Sequence, residues 1–179
     1  MVDVCAEKYF QKLTEIVQEF AGKNQYEISE IDDGFVLDIP VEYEVFEDEE
    51  DIIDDLDSLE TELPMDIEIP DNIKSKIEHR RQFVYVTGYH KGPDNEDMFQ
   101  VFTVCAPDDE RFYKSALLLN MNLPFGAIAL SNVEGETYFV LVDTYLAESV
   151  TAEELNASIS TLARAGDKME RMLIGDDLA

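Results

Sequence analysis

Residues Leu117–Leu130 read LLLNMNLPFGAIAL. The stretch is apolar at both ends and carries two asparagines, a proline and a glycine in its middle. Pro124 and Gly126 are poor residues for the interior of a continuing helix. The leucines therefore close a helix, and AIAL opens a buried strand. Nothing in the stretch is equipped for chemistry, because it holds no acid, base or nucleophile. It marks a helix-to-strand transition, and the neighbouring segments take their places around it.

Upstream, PDDERFYKSALLLNMN predicts the body of that helix. Asp108 is its expected N-cap, with Asp109 and Glu110 at the positive end of the helix dipole. Phe112, Ala116, Leu119 and Leu123 fall on one face, with Tyr113 and Leu117 beside it. Before it, from Phe83, QFVYVTGYH and MFQVFTVCA are rich in aromatic and β-branched residues. They flank the turn-forming KGPDNED and predict an antiparallel pair.

Downstream, FGAIALSNVEGETYFVLVDTYL predicts two strands around an Asn-Val-Glu-Gly turn. TAEELNASISTLARAGDKMERML then opens with a Thr-x-x-Glu capping box, Thr151 to Glu154. Leu155, Ile159, Leu162, Met169 and Leu173 form its buried stripe. Gly166 lies on that stripe and marks a kink, a close contact or the helix end.

At the other end of the chain, Ala6, Phe10, Leu13, Val17 and Phe20 recur at helical steps within residues 3–21. Gly22 and Asn24 are the expected stop signals. Tyr26, Ile28 and Ile31 lead to Asp33-Gly34, a hairpin signal. Phe35, Leu37 and Ile39 then alternate as a half-buried strand should. Pro40 predicts an edge position or the end of regular pairing.

Residues 42–71 differ in character, with fifteen acids and no base. Ile52, Leu56, Leu59 and Leu63 still fall at i, i+4, i+7 and i+11, an apolar stripe on a short acidic helix that Pro64 would end. Met65, Ile67 and Ile69 alternate after it. This acidic insert reads as a docking segment, a flap over the protein's own sheet, or a solvated loop. The expected architecture is one α+β domain over 1–179, an antiparallel sheet with helices mainly on one face. Its order is α-β-β-(acidic insert)-β-β-α-β-β-α.

The 179 residues carry 41 acids against 13 bases, a formal net charge of −28. Such a surface repels phosphate backbones and anionic lipids, which argues against nucleic-acid and membrane partners. No apolar run approaches the roughly 20 residues of a membrane span. MVDVCAEKYF has an early acid and no long apolar core, so no signal peptide is expected. Two cysteines, Cys5 and Cys105, and two histidines, His79 and His90, do not make a zinc inventory. Reduced thiols in the cytoplasm and no cofactor or metal are expected. Cys105 with His90 and an aspartate lacks any nucleophile signature, and His90 is expected at a strand end facing water. Paired carboxylates are uninformative in so acidic a chain. No catalytic residue is expected.

The sequence from Phe112 onward is similar to the C-terminal half of YbjN-like proteins. It also resembles the type III secretion chaperone superfamily that includes the CesT-type chaperones. The likeness rests on the helix ending LLLNMN, then LPFGAIAL, ETYFVLVDTYL and a capped final helix, and the opening amphipathic helix with its DG hairpin fits as well. The resemblance implies a cytoplasmic α+β protein that dimerises and binds polypeptides without catalysing anything. It implies partner binding on Phe10, Leu13 and Val17 of the first helix and on Phe35, Leu37 and Ile39 of the strand. It implies a dimer interface around Tyr113 and Leu117. The acidic insert departs from the pattern. The leading expectation is thus a chaperone-like or regulatory protein-binding homodimer with another protein or peptide, of basic character, as partner. The alternative is an acidic inhibitor, immunity-type protein or nucleic-acid mimic that blocks a basic partner.

Overall fold

The computed structural model describes residues 4–46, 75–133 and 135–174. The elements run α1 (Val4–Asn24), β1 (Glu27–Ile31), β2 (Gly34–Phe46), β3 (Ser75–Lys91), β4 (Asp97–Pro107), α2 (Tyr113–Leu119), β5 (Ala127–Val133), β6 (Glu136–Leu146) and α3 (Ala152–Ile174). The chain divides into two compact units, Met1–Val41 with Arg81–Ala179, and Glu42–Arg80. The smaller unit begins at Glu42, the first residue of the expected acidic insert. Within the smaller unit, exposed His79 and Glu42 lie 3.2 Å apart. Ile52, Leu56, Leu59 and Leu63 lie outside the described residues.

Among the described residues the strands form one sheet in the order β1-β2-β3-β4-β6-β5, and β1–β2, β3–β4, β4–β6 and β5–β6 pair antiparallel. The fold is α+β, as expected. Period-two alternation assigns the faces. Phe35, Leu37, Ile39, Val84, Val86, Phe99, Val101, Leu141 and Ile128 point to one side and are buried. α1 lies on that side, where Phe10 stacks on Phe35 with centroids 5.9 Å apart. α2 lies there too, with Tyr113 edge-on to Phe139 at 6.0 Å. So does α3, where Ser158 Oγ donates to Asp143 Oδ2 at 3.0 Å. The three described helices thus cover one face. Each fully buried Leu, Val or Phe in that layer contributes about 1.5–3 kcal/mol relative to exposure.

Local chemistry sets the element ends. α1 does not stop at Gly22. It runs to Asn24, and Gln25 takes the left-handed conformation at φ 59°. Tyr26 N–H then bonds Ala21 O at 2.9 Å, a Schellman closure. The first hairpin turns on Asp32-Asp33, one residue earlier than expected, and Gly34 already pairs with Ile31 in the ladder. Pro40 sits inside β2, where its regular pairing with β1 has ended, as expected. It lies past the β1 ladder, which closes at Glu27 opposite Asp38, so its missing N–H costs no pairing on that side.

The segment before α2 starts as a 3-10 turn, Glu110–Phe112. Its N-cap is Asp109, which accepts Arg111 N–H at 2.9 Å. Asp108, the expected cap, instead accepts the Tyr113 hydroxyl at 2.7 Å. α3 opens on the capping box as read: Thr151 N–H meets Glu154 Oε2 at 2.9 Å and Glu154 N–H meets Thr151 Oγ1 at 3.2 Å.

Gly166 does not end α3, which runs on to Ile174. It marks a close contact, since a Cβ there would lie 2.7 Å from Thr103 Cγ2 and 3.3 Å from Gln82 Nε2. Gly166→Val is expected to lower stability by about 1–3 kcal/mol through this overpacking. A fall in the urea midpoint at unchanged slope would show it; an unchanged midpoint would show that α3 does not depend on the contact.

Candidate functional site

The face of the sheet away from the helices is built from β3, β4 and β6. Register places Tyr85 opposite Phe102 and Phe102 opposite Val142; Val104 pairs with Val140, and Met98 with Leu146. Tyr85 and Phe102 stack at 4.8 Å, nearly parallel. Phe83, two residues from Tyr85 on the same side, is 52% exposed, and Leu146 is exposed as well. Val140 is buried, flanked by Val104 and Ala129. No described helix packs on this face. A contiguous aromatic and aliphatic surface on so acidic a chain needs an explanation.

A second apolar patch surrounds the opening stretch. Leu117 is 68% and Met121 84% exposed, with exposed Leu118 between them and exposed Leu130 on the neighbouring strand. From Arg111 to Val133 there is no acid, while Arg111 and Lys114 are basic. This is a conspicuous gap in a chain with 41 acids. One breaker of the stretch, Gly126, is fixed by geometry. Gly126 has φ +70°, and a Cβ there would lie 2.8 Å from Val142 O. Asn120 clasps the sheet edge: its Oδ1 accepts Ile128 N–H at 2.6 Å and its Nδ2 donates to Ile128 O at 3.4 Å. β5 ends the strand order, so this side chain satisfies edge groups that another strand would otherwise take.

The residues expected to capture a partner are placed elsewhere. Leu13, Val17, Phe35, Leu37 and Ile39 are buried against one another, and Phe10 is half-buried on Phe35. Their alternating pattern is the protein's own core, so this face is not a surface. Helical and strand periodicity give the same signal for a core as for a docking patch. Of the expected interface pair, Tyr113 is half-buried in the core and Leu117 faces outward. Sequence reasoning missed Phe83, Leu146 and Met121. For the patch, the available signal was the run without acids.

His90 and the Cys105 thiol are not brought together. His90 pairs with Met98 at one end of β4, and Cys105 sits at the other. Seven residues of strand separate those ends by about 23 Å. The His90 ring bonds Thr87 Oγ1 at 2.8 Å across a bulge, half-buried rather than simply facing water. Burial pushes the Cys105 thiol up to about 12, with the Glu170 carboxylate adding to the shift. Buried Asp167 lies 3.3 Å from Arg171 across one helical turn. Among the described residues, no group of three His, Cys, Asp or Glu side chains could hold a metal ion, and no helix is long and apolar enough to cross a membrane.

The chain matches no protein-family model and no curated protein.

The thiol gives a pH prediction. The unfolded thiol titrates near 9 and the folded one near 12. The stabilisation from keeping it neutral is therefore complete below pH 9 and is lost as pH rises towards 12. Between those values the stability of the parent chain is expected to fall more steeply than that of Cys105→Ala. Parallel curves from chemical denaturation would contradict this.

Proposed function

We propose that this chain is a non-enzymatic, chaperone-like binding protein that holds an extended polypeptide on the face of its sheet that no described helix covers. The observation that carries the proposal is the exposed Phe83 beside the stacked Tyr85–Phe102 pair. Extended peptides bind such surfaces through apolar side chains spaced two residues apart, with no special polar constellation. The net charge of −28 favours a basic partner and speeds its approach. The reading agrees with the likeness to secretion chaperones and YbjN-like proteins, and it moves the capture surface from α1 and β2 to the other side of the sheet. It places the protein in the cytoplasm.

The same proposal includes a homodimer through Leu117, Leu118 and Met121. Two chains at −28 repel each other over most of their surface, and the acid-free patch is where that repulsion is weakest. Since Asn120 already occupies the β5 edge at Ile128, helix packing is favoured there over strand addition.

Reduced, unfolded lysozyme is a suitable basic probe. The parent chain is expected to hold it soluble in both low and high salt, whereas Phe83→Asp loses that activity with a stability change within about 0.5 kcal/mol. The acidic-inhibitor alternative is supported by the charge alone. Protection lost with salt and indifferent to Phe83 would favour it. For the dimer, light scattering is expected to give twice the chain mass for the parent and the single mass for Met121→Asp. A monomeric parent chain would remove this part of the proposal.

A further inference from the structure

The sheet face away from the helices is set apart by charge as well as by apolarity. On β4 from Met98 to Val104, on β6 from Tyr138 to Leu146 and on β5 from Ala127 to Val133, every second side chain counted from those ends points to that side. None of them is Asp, Glu, Lys or Arg. Phe83, Tyr85 and Thr87 of β3 continue the same area. The exclusion holds across four strands of a chain in which 30% of residues are charged. Folding does not demand it, because the open side of an antiparallel sheet accepts charged side chains. Depletion of charge is instead the mark of a surface that another molecule covers.

The charges stand at the borders of this area. Exposed Asp94, in the turn between β3 and β4, and exposed Glu148, just beyond β6, lie at one end of the strands. Exposed Asp108 and Glu136 lie at the other, where Asp108 N–H bonds Thr137 O at 3.0 Å. Along β1 and β2, Glu27 and Asp38 are opposite each other, and Asp38 holds Arg81 at 2.7 Å. Inside the borders the polar groups are neutral, with Gln100 paired between Thr87 and Thr144.

We infer that the segment bound on this face carries no charge on the side chains it turns towards the sheet, and that its basic residues flank that stretch and meet the acidic borders. An ammonium pressed onto the neutral area loses its water and finds no carboxylate there. The same ammonium at either end stays hydrated and is drawn by the acids, an attraction that salt screens. In an extended segment only alternate side chains point at the sheet, so the exclusion has a period of two. The strand from Met98 to Val104 is roughly 20 Å long, which matches an uncharged stretch of about six residues. The inference rests on the proposed polypeptide binding and adds the sequence pattern that the face selects.

The chain has no tryptophan, so a bound peptide can carry the only one. The probe is the peptide KKVTWTVKK, acetylated and amidated, whose tryptophan emission is followed as the full chain is added. Its valines and tryptophan share one side, and its threonines the other. KKKTWTVKK puts a lysine on the sheet side, and KKVKWTVKK puts one on the solvent side. The parent peptide is expected to bind with blue-shifted emission, and Phe83→Asp is expected to abolish the shift. The solvent-side lysine should leave binding within about twofold, whereas the sheet-side lysine should weaken it about tenfold in low and high salt alike. QQVTWTVQQ should bind more weakly than the parent peptide in low salt and equally in high salt. Gln100→Glu, close in shape, places a carboxylate inside the area and should narrow the gap between the two lysine peptides severalfold. If that variant does not fold, the two lysine peptides on the parent chain decide alone. Equal binding of those two peptides would overturn the inference, as would an emission shift that survives Phe83→Asp, or no shift with any peptide. The period-two rule obeyed by a chain that protects no unfolded lysozyme would keep this inference and remove the chaperone-like reading. Lysozyme protected through Phe83, with no discrimination between the lysine peptides, would do the reverse.

Discussion

The seating of α3 on β4 is the contact on which the rest of the main body depends. It is made possible by the missing side chain of Gly166, which lets the helix backbone approach Thr103 and Gln82. Ser158 fixes the same helix to Asp143 of β6, and the capping box at Thr151 sets where it begins. With α3 in place, Leu155, Ile159 and Leu162 close one side of the sheet. α1 packs beside it, tied by Lys12 Nζ to Ala147 O at 2.9 Å. The helices are then all committed to one face, and the apolar residues of the other face have no described helix to bury them.

That one-sidedness connects packing to function. An antiparallel sheet covered on one side usually presents polar side chains on the other. Here the second face keeps Phe83, Tyr85, Phe102, Val142 and Leu146. The α3 contact at Gly166 also meets Gln82, whose side-chain amide bridges from β3 to Thr103 and Val104 of β4.

The element order was legible from periodicity, because α1, α3 and the β3–β4 pair carry strong and unambiguous repeats. The capping box was legible because its chemistry is local: Thr151 and Glu154 need only each other. Ends were less legible. Gln25, rather than a glycine, takes the left-handed position after α1, and Asp109 rather than Asp108 caps the turn before α2, where two adjacent aspartates offer the same chemistry. The candidate site was read least well. Leu13, Val17 and Leu37 have the pattern of any amphipathic face, and only tertiary packing tells a core from a docking surface. Phe83 looks like one more strand residue until the faces are assigned. Asn120, the first asparagine of LLLNMN, could not be read as an edge clasp, because its partner, Ile128, is reached only through the Pro124–Gly126 break.

The most direct measurement of where this protein makes apolar contact is amide and methyl NMR mapping with reduced, unfolded lysozyme as the bound polypeptide. The account predicts perturbations centred on Phe83, Tyr85, Phe102 and Leu146, with Leu13, Val17 and Leu37 unchanged. Perturbations centred on α1 and β2, or confined to exposed acids and abolished by salt, would contradict it.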